Sequence, residues 1–189
     1  MPAWLESCGV SPRHAEATID TESERGRQWD LWLDQATVAD LSGGIVVLTG
    51  SRGSGKTQLA TEMIRNAIPR RPKPRYVHVV DFFLAVRATY GQSDKTKNQT
   101  TETEAVRPYI ETSLLVIDEI QERGGSDWED RMLHYVIDKR YAAMRTTVVI
   151  GNLKRDPLLA AMGRSVSSRI AECGTFIECV GVSFRGETR

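Results

Sequence analysis

Residues 45–57 read Ile-Val-Val-Leu-Thr-Gly-Ser-Arg-Gly-Ser-Gly-Lys-Thr, and the reading of the fold starts there. Ile45 to Thr49 are aliphatic or β-branched, which predicts a buried strand. The strand runs directly into Gly50-x-x-x-x-Gly55-Lys56-Thr57, which matches the phosphate-binding loop pattern at every position. Leu59, Ala60, Met63, Ile64 and Ala67 then recur at helical spacing. Strand, glycine loop and helix are the context this motif requires. Gly50, Gly53 and Gly55 allow a tight turn that brings N–H groups against phosphate oxygens, with Ser51, Arg52 and Ser54 completing the loop. The first helical turn adds its positive dipole end. In this pattern Lys56 reaches the β- and γ-phosphates and the Thr57 hydroxyl ligates Mg²⁺. A nucleoside triphosphate ligand is the expectation.

A second stretch, Ser113-Leu114-Leu115-Val116-Ile117-Asp118-Glu119, is a continuous aliphatic run that ends in two carboxylates. Such runs fit strands of a parallel sheet buried on both faces. The C-terminal strand ends of open α/β sheets line ligand crevices, and two buried acids without a role would be costly. Asp118 is placed to hold Mg²⁺, directly or through water, and Glu119 to accept a proton from an attacking water. Thr146 to Gly151 reads as another central strand, with Asn152 at its end beside the same crevice. Asn152 can orient the hydrolytic water or touch the γ-phosphate; a plain turn residue is the alternative.

At 189 residues the chain is about one domain long. Lys plus Arg and Asp plus Glu number 25 each, so bulk charge does not announce a nucleic-acid binder, and local patches would have to serve. No apolar run approaches membrane-spanning length and no signal-peptide pattern follows Met1, which predicts a cytoplasmic protein that avoids membranes. Cys8, Cys173 and Cys179 lack zinc spacing and read as reduced thiols.

Around these landmarks, residues 1–44 hold no strand signal. Arg27 to Leu33 reads as a short helix with Trp29, Trp32 and Leu33 on one face, packed on the core or laid over the nucleotide base. Leu41-Ser42-Gly43-Gly44 is a turn before the first strand, and Pro69 to Arg75 a solvated basic loop. Tyr76 to Val80 predicts a strand, in which His78 is a packed residue rather than a ligand, and Phe82 to Tyr90 a helix. The polar stretch Gly91 to Glu104 reads as a mobile loop carrying Lys95 and Lys97. Ser126 and Glu129 fit a capping box, followed by a stripe of Trp128, Met132, Leu133, Val136, Ile137 and Tyr141. Asp156 to Ala161 looks helical, Arg164 to Ile170 helix or turn, and Thr175 to Ser183 a last strand.

The order of motifs, with a late arginine at Arg169, resembles an AAA+ ATPase. More closely, the chain is similar to the ATPase domain of bacterial DnaC/DnaI-type helicase loaders and the related IstB-like transposition ATPases. Gly9 to Thr18, Asp127 to Tyr141 with its Arg140-Tyr141 ending, Gly151-Asn152-Leu153, Ser168-Arg169-Ile170 and Ser183 to Gly186 carry the resemblance, which spans about residues 9–186. It implies an α/β fold: a three-layer αβα P-loop NTPase core with a five-stranded parallel sheet. Residues 1–40 would be a lead-in segment with short helices and residues 41–189 the ATPase domain, the chain ending too soon for a C-terminal lid domain.

It also implies Mg²⁺-dependent ATP hydrolysis, a catalytic set of Glu119, Asn152 and Arg169, and an arginine finger at Arg169 supplied in trans within a head-to-tail homo-oligomer. The implied partners are a replicative helicase and single-stranded DNA, with Lys95 and Lys97 as DNA contacts. Full-length loaders carry an N-terminal helicase-gripping domain, whereas about 44 residues precede the first strand here. That points to a compact phage-type loader or to a separate adaptor. An ATPase assisting a transposase shares every motif. A small-molecule kinase fits poorly, because the Asp-Glu pair suits water activation and no acceptor-binding lid is evident.

Overall fold

The computed structural model describes residues 3–69, 73–88, 102–181 and 183–184. Lys95, Lys97, most of the polar 91–104 stretch, Arg70 to Pro72 and Arg185 lie outside the described residues. Five strands, β1 (Ile45–Thr49), β2 (Arg75–His78), β3 (Leu114–Asp118), β4 (Thr146–Ile150) and β5 (Gly174–Glu178), form one sheet in the order β2-β3-β4-β1-β5. Every pairing is parallel. The expected α/β fold with a five-stranded parallel sheet is therefore present.

The period-2 alternation of the strands sorts the core into two layers. Val46, Leu48, Leu114, Val116, Val148 and Ile150 face one side. They meet helices α1 (Ala3–Ser7), α2 (Pro12–Glu16), α3 (Glu24–Ser42) and α4 (Lys56–Ala67). Ile45, Val47, Leu115, Ile117 and Val149 face the other side. There they meet α5 (Val79–Arg87), α6 (Glu102–Glu111), α7 (Asp127–Ala142), α8 (Arg155–Met162) and α9 (Arg164–Cys173). Strands β1, β3 and β4 are buried along their whole length, as continuous aliphatic runs demand.

Several boundaries differ from the sequence expectation. Tyr76 to Val80 is not all strand: β2 ends at His78, and α5 begins at Val79. Val79, Phe82, Phe83 and Val86 make a buried helical stripe, and that packing overrides the β-propensity of two consecutive valines. Trp29 and Trp32 belong to a 19-residue helix rather than a short one, capped by the Ser23 side chain and closed by Gly43 at φ 73°. Glu102 to Glu104 open helix α6, with Pro108 inside it, and are not part of a loop. The last strand stops at Glu178; the chain then turns through Gly181, at φ 131°, and crosses the phosphate loop. On α7 the capping box is made as expected, Ser126 and Glu129 each satisfying the other's backbone N–H.

Arg140, on α7, is fully buried. Its Nε donates to the Thr147 hydroxyl at 2.9 Å, and its Nη atoms donate to the carbonyls of Tyr109, Ile110, Thr112 and Thr146. One side chain thus ties α6, α7 and β4 together. Burial, reinforced by the charge of Arg145, lowers its pKa to about 9, which leaves it protonated at neutral pH.

Candidate active site

β1 delivers the chain to the C-terminal edge of the sheet, where residues 50–55 turn before α4. Gly50 has φ 132°, and a Cβ there would lie 2.2 Å from the Cys179 carbonyl oxygen, so only glycine fits. Gly55, the N-cap of α4, has φ 92°, and a Cβ would press on Trp29 at 3.0 Å. The Trp29 indole N–H donates to the Gly55 carbonyl at 3.3 Å, so this tryptophan buttresses the loop. From the other end of the chain, the Phe184 N–H donates to the Gly53 carbonyl at 2.8 Å, and Arg25 stacks over the Phe184 ring at 3.5 Å. Lys56 is 5% exposed; its Nζ donates to the carbonyls of Gly50 at 2.9 Å and Ser51 at 2.8 Å. The ammonium therefore sits inside the ring of loop residues, where phosphate oxygens are expected.

Asp118 ends β3 at 3% exposure and meets Thr57 from the loop. The Thr57 hydroxyl donates to Asp118 Oδ2 at 3.1 Å, and the backbone N–H of Glu119 donates to Oδ1 at 2.7 Å. The Tyr76 hydroxyl, from β2, also donates to Oδ2. Burial, and then the negative charge of Asp118, push the Tyr76 phenol above its usual pKa and keep it a donor. Glu119 takes a left-handed backbone, φ 54° and ψ 47°, unusual for a residue with a side chain. This bend leads into a single 3₁₀ turn, Ile120–Glu122. Glu119 Oε2 accepts from Asn152 Nδ2 at 2.5 Å and from Gln121 Nε2. Gln121 Oε1 in turn accepts from the Asn152 N–H at 3.1 Å, which links the ends of β3 and β4.

These groups open on one cleft of about 580 Å³, lined by Arg52, Gly53, Gly55, Lys56, Thr57, Gln58, Asp118, Glu119 and Asn152. The opposite wall comes from the lead-in: Arg13, His14, Glu16, Ala17, Thr18 and Ile19, with Phe184. Gln58 Nε2 and Arg65 on α4 fasten that wall by donating to the carbonyls of Ala17 and Ala15, both at 3.0 Å. Trp29, Trp32 and Leu33 pack with the core, and residues 13–19 rather than 27–33 flank the cleft. A larger cavity, about 780 Å³ between α1, β2 and α6, contains none of the phosphate-loop or Asp118 groups, so its size does not make it the site.

Arg169 is not in the cleft. On α9 its Nη1 donates to the Ser165 carbonyl at 3.0 Å and to the Ser165 hydroxyl at 2.7 Å, and Nη2 pairs with Asp138 of α7. Sequence reading brought Lys56, Thr57, Asp118, Glu119 and Asn152 to one place; it missed Tyr76, Gln121, the bracing role of Trp29 and the wall at 13–19. No motif announces these, because their roles follow from strand order and from the return of the chain ends over the loop.

The donors at Thr57 and Asp118 are hard oxygens 3.1 Å apart beside the loop, which suits Mg²⁺. Among the described residues no cluster of three or more His, Cys, Asp or Glu side chains could hold a metal by itself.

Residues 18–163 match the sequence profile of the IstB-like ATP binding proteins. The chain belongs to that ATP-binding family. It is 25% identical to the replicative helicase loader DnaC of Escherichia coli over 175 residues, 90% of this chain and 69% of that protein. In three dimensions it superposes on a crystal structure of the DnaC helicase loader with a TM-score of 0.68 at 20% identity, covering 89% of this chain and 99% of the other. A replication initiator DnaA bound to AMPPCP and single-stranded DNA aligns with the same TM-score at 21% identity, over 89% of this chain and 50% of its own. The fold of this IstB-like chain is thus the AAA+ fold of DnaC and DnaA. Among the described residues no helix is long and apolar enough to cross a membrane.

Proposed function

We propose that this chain hydrolyses ATP in the 50–57/118–119/152 cleft and uses the cycle to place a replicative helicase on single-stranded DNA. The observation that carries the chemistry is the meeting, in one cleft, of Lys56, the Thr57–Asp118 pair and the Glu119–Asn152 pair. The loop N–H groups and Lys56 bind the triphosphate and pull negative charge onto the β- and γ-phosphates as the bond to the leaving oxygen breaks. Thr57 and Asp118, the latter directly or through water, would hold Mg²⁺, which would supply further neutralisation of that charge. Glu119 accepts the proton of the attacking water, whose oxygen bonds to the γ-phosphorus while the β,γ-bridging bond breaks and ADP leaves. Asn152 and Gln121 hold the Glu119 carboxylate. Residues 13–19 and Phe184 are the wall for base and ribose.

Arg169 stands outside its own cleft, which suits a finger that serves a neighbouring subunit in a head-to-tail homo-oligomer. Residues 1–40 serve as a lead-in that closes the cleft, and 41–189 as the ATPase unit, acting in the cytoplasm. Helicase loading is supported by similarity to DnaC across 90% of this chain, and DNA contact by the likeness to a DnaA bound to single-stranded DNA. The test is ATP turnover with and without single-stranded DNA and the cognate replicative helicase. Stimulation and ATP-dependent pull-down are expected; negative pull-downs with ATP and DNA present overturn the loader role. The match to the IstB-like profile favours a second reading, an ATPase that assists a transposase on DNA. Transposase genes beside its own, and capture of that transposase instead of the helicase, would establish it.

A further inference from the structure

The hydrolytic reading leaves Tyr76 without a task. It lies on β2, the edge strand beside β3, in register with Val116, and His78 two residues on pairs with Asp118. Tyr76 and His78 share a face of the strand, so the phenol runs along the sheet toward the Asp118 carboxylate. Its ring packs against the first core layer, a task that Phe would perform equally well. The hydroxyl does something Phe cannot: it donates to Asp118 Oδ2, the same oxygen that accepts from Thr57. The Glu119 N–H takes one position on Oδ1. A carboxylate offers about four lone-pair positions. Three are therefore occupied, the plane of the group is set, and one position remains for a cation or its water.

We propose that Tyr76 is a positioning residue for the divalent cation: its hydroxyl fixes the Asp118 carboxylate in the orientation that holds Mg²⁺. The proposal rests on the MgATP reading of the cleft. Partners behind a metal ligand usually contribute about 10–100-fold in metal affinity. A phenol that only quenched the charge of Asp118 would act in the opposite sense, and its removal would tighten metal binding.

The test compares the full-length wild type with Tyr76→Phe, measuring Mn²⁺ affinity by electron paramagnetic resonance in the presence of a non-hydrolysable ATP analogue. Analogue affinity in EDTA and thermal unfolding are measured alongside. Mn²⁺ affinity falls about 10-fold or more in the variant, while analogue affinity without metal and the unfolding temperature stay at wild-type values. Should Tyr76→Phe fold poorly, Tyr76→Met fills the same apolar contacts without a donor and gives the same reading. Mn²⁺ affinity that is unchanged or tighter in a folded variant overturns the proposal alone. A wild type that binds neither analogue nor Mn²⁺ overturns the cleft assignment and this proposal with it.

Discussion

Arg140 and the Asp118–Glu119 corner are both charged groups at the sheet, and they are treated in opposite ways. Arg140 is fully buried and spends its donors on four backbone carbonyls and one hydroxyl of its own chain. Fully buried, it is out of reach of a ligand, so its role is to hold α6, α7 and β4 in place. Asp118 is nearly as buried, yet one of its lone-pair positions stays open, and the half-buried Glu119 lines the cleft beside it. A charge buried away from any cleft and bonded to its own chain is architecture; one with capacity to spare at a cleft is available for chemistry. Arg169 is a third case, engaged with Asp138 and Ser165 but with 22% of its side chain still exposed, so its guanidinium can exchange partners at modest cost.

This contrast can be broken at each point. Arg169→Ala carries the largest expected effect, a fall in turnover on the order of 10³-fold or more, with stability changed by no more than about 1 kcal/mol. Mixing it with Lys56→Ala should restore activity, because each variant supplies what the other lacks; no recovery in the mixture would count against a finger in trans. Arg140→Met should lower stability by on the order of 3–5 kcal/mol, since four carbonyls lose their donor. In thermal unfolding that is a drop of roughly 10 °C or more, and an unfolding temperature near wild type would refute the structural role. Lys56→Ala should weaken ATP binding while leaving the fold intact, measurable with a fluorescent nucleotide; unchanged affinity would remove Lys56 from the site. Asn152→Ala leaves Gln121 to hold Glu119, so a smaller loss of turnover, about 10-fold, is expected from one hydrogen bond to a charged group.

The same contrast explains what could be read from residues alone. The loop, the Asp-Glu strand end and Asn152 were visible because phosphate binding and parallel strands restrict residue types at fixed spacing. Arg140 and Tyr76 were not, because their meaning lies in which carbonyls or carboxylates the topology brings to them. The sheet core followed from aliphatic runs, whereas β2 ended early and β5 stopped at Glu178 because packing of α5 and the close approach of the chain to Gly50 outweigh local propensity. Helix α6 lacked a signal for a different reason: Pro108 breaks the pattern within it.

The claim that the cleft is a hydrolytic centre is tested most directly by Glu119→Gln, measured for ATP affinity and for turnover on the same preparation. Affinity near that of the wild type, with turnover down by about 10²–10⁴-fold, is the expected result. Turnover close to wild type in a variant that binds ATP normally would contradict it.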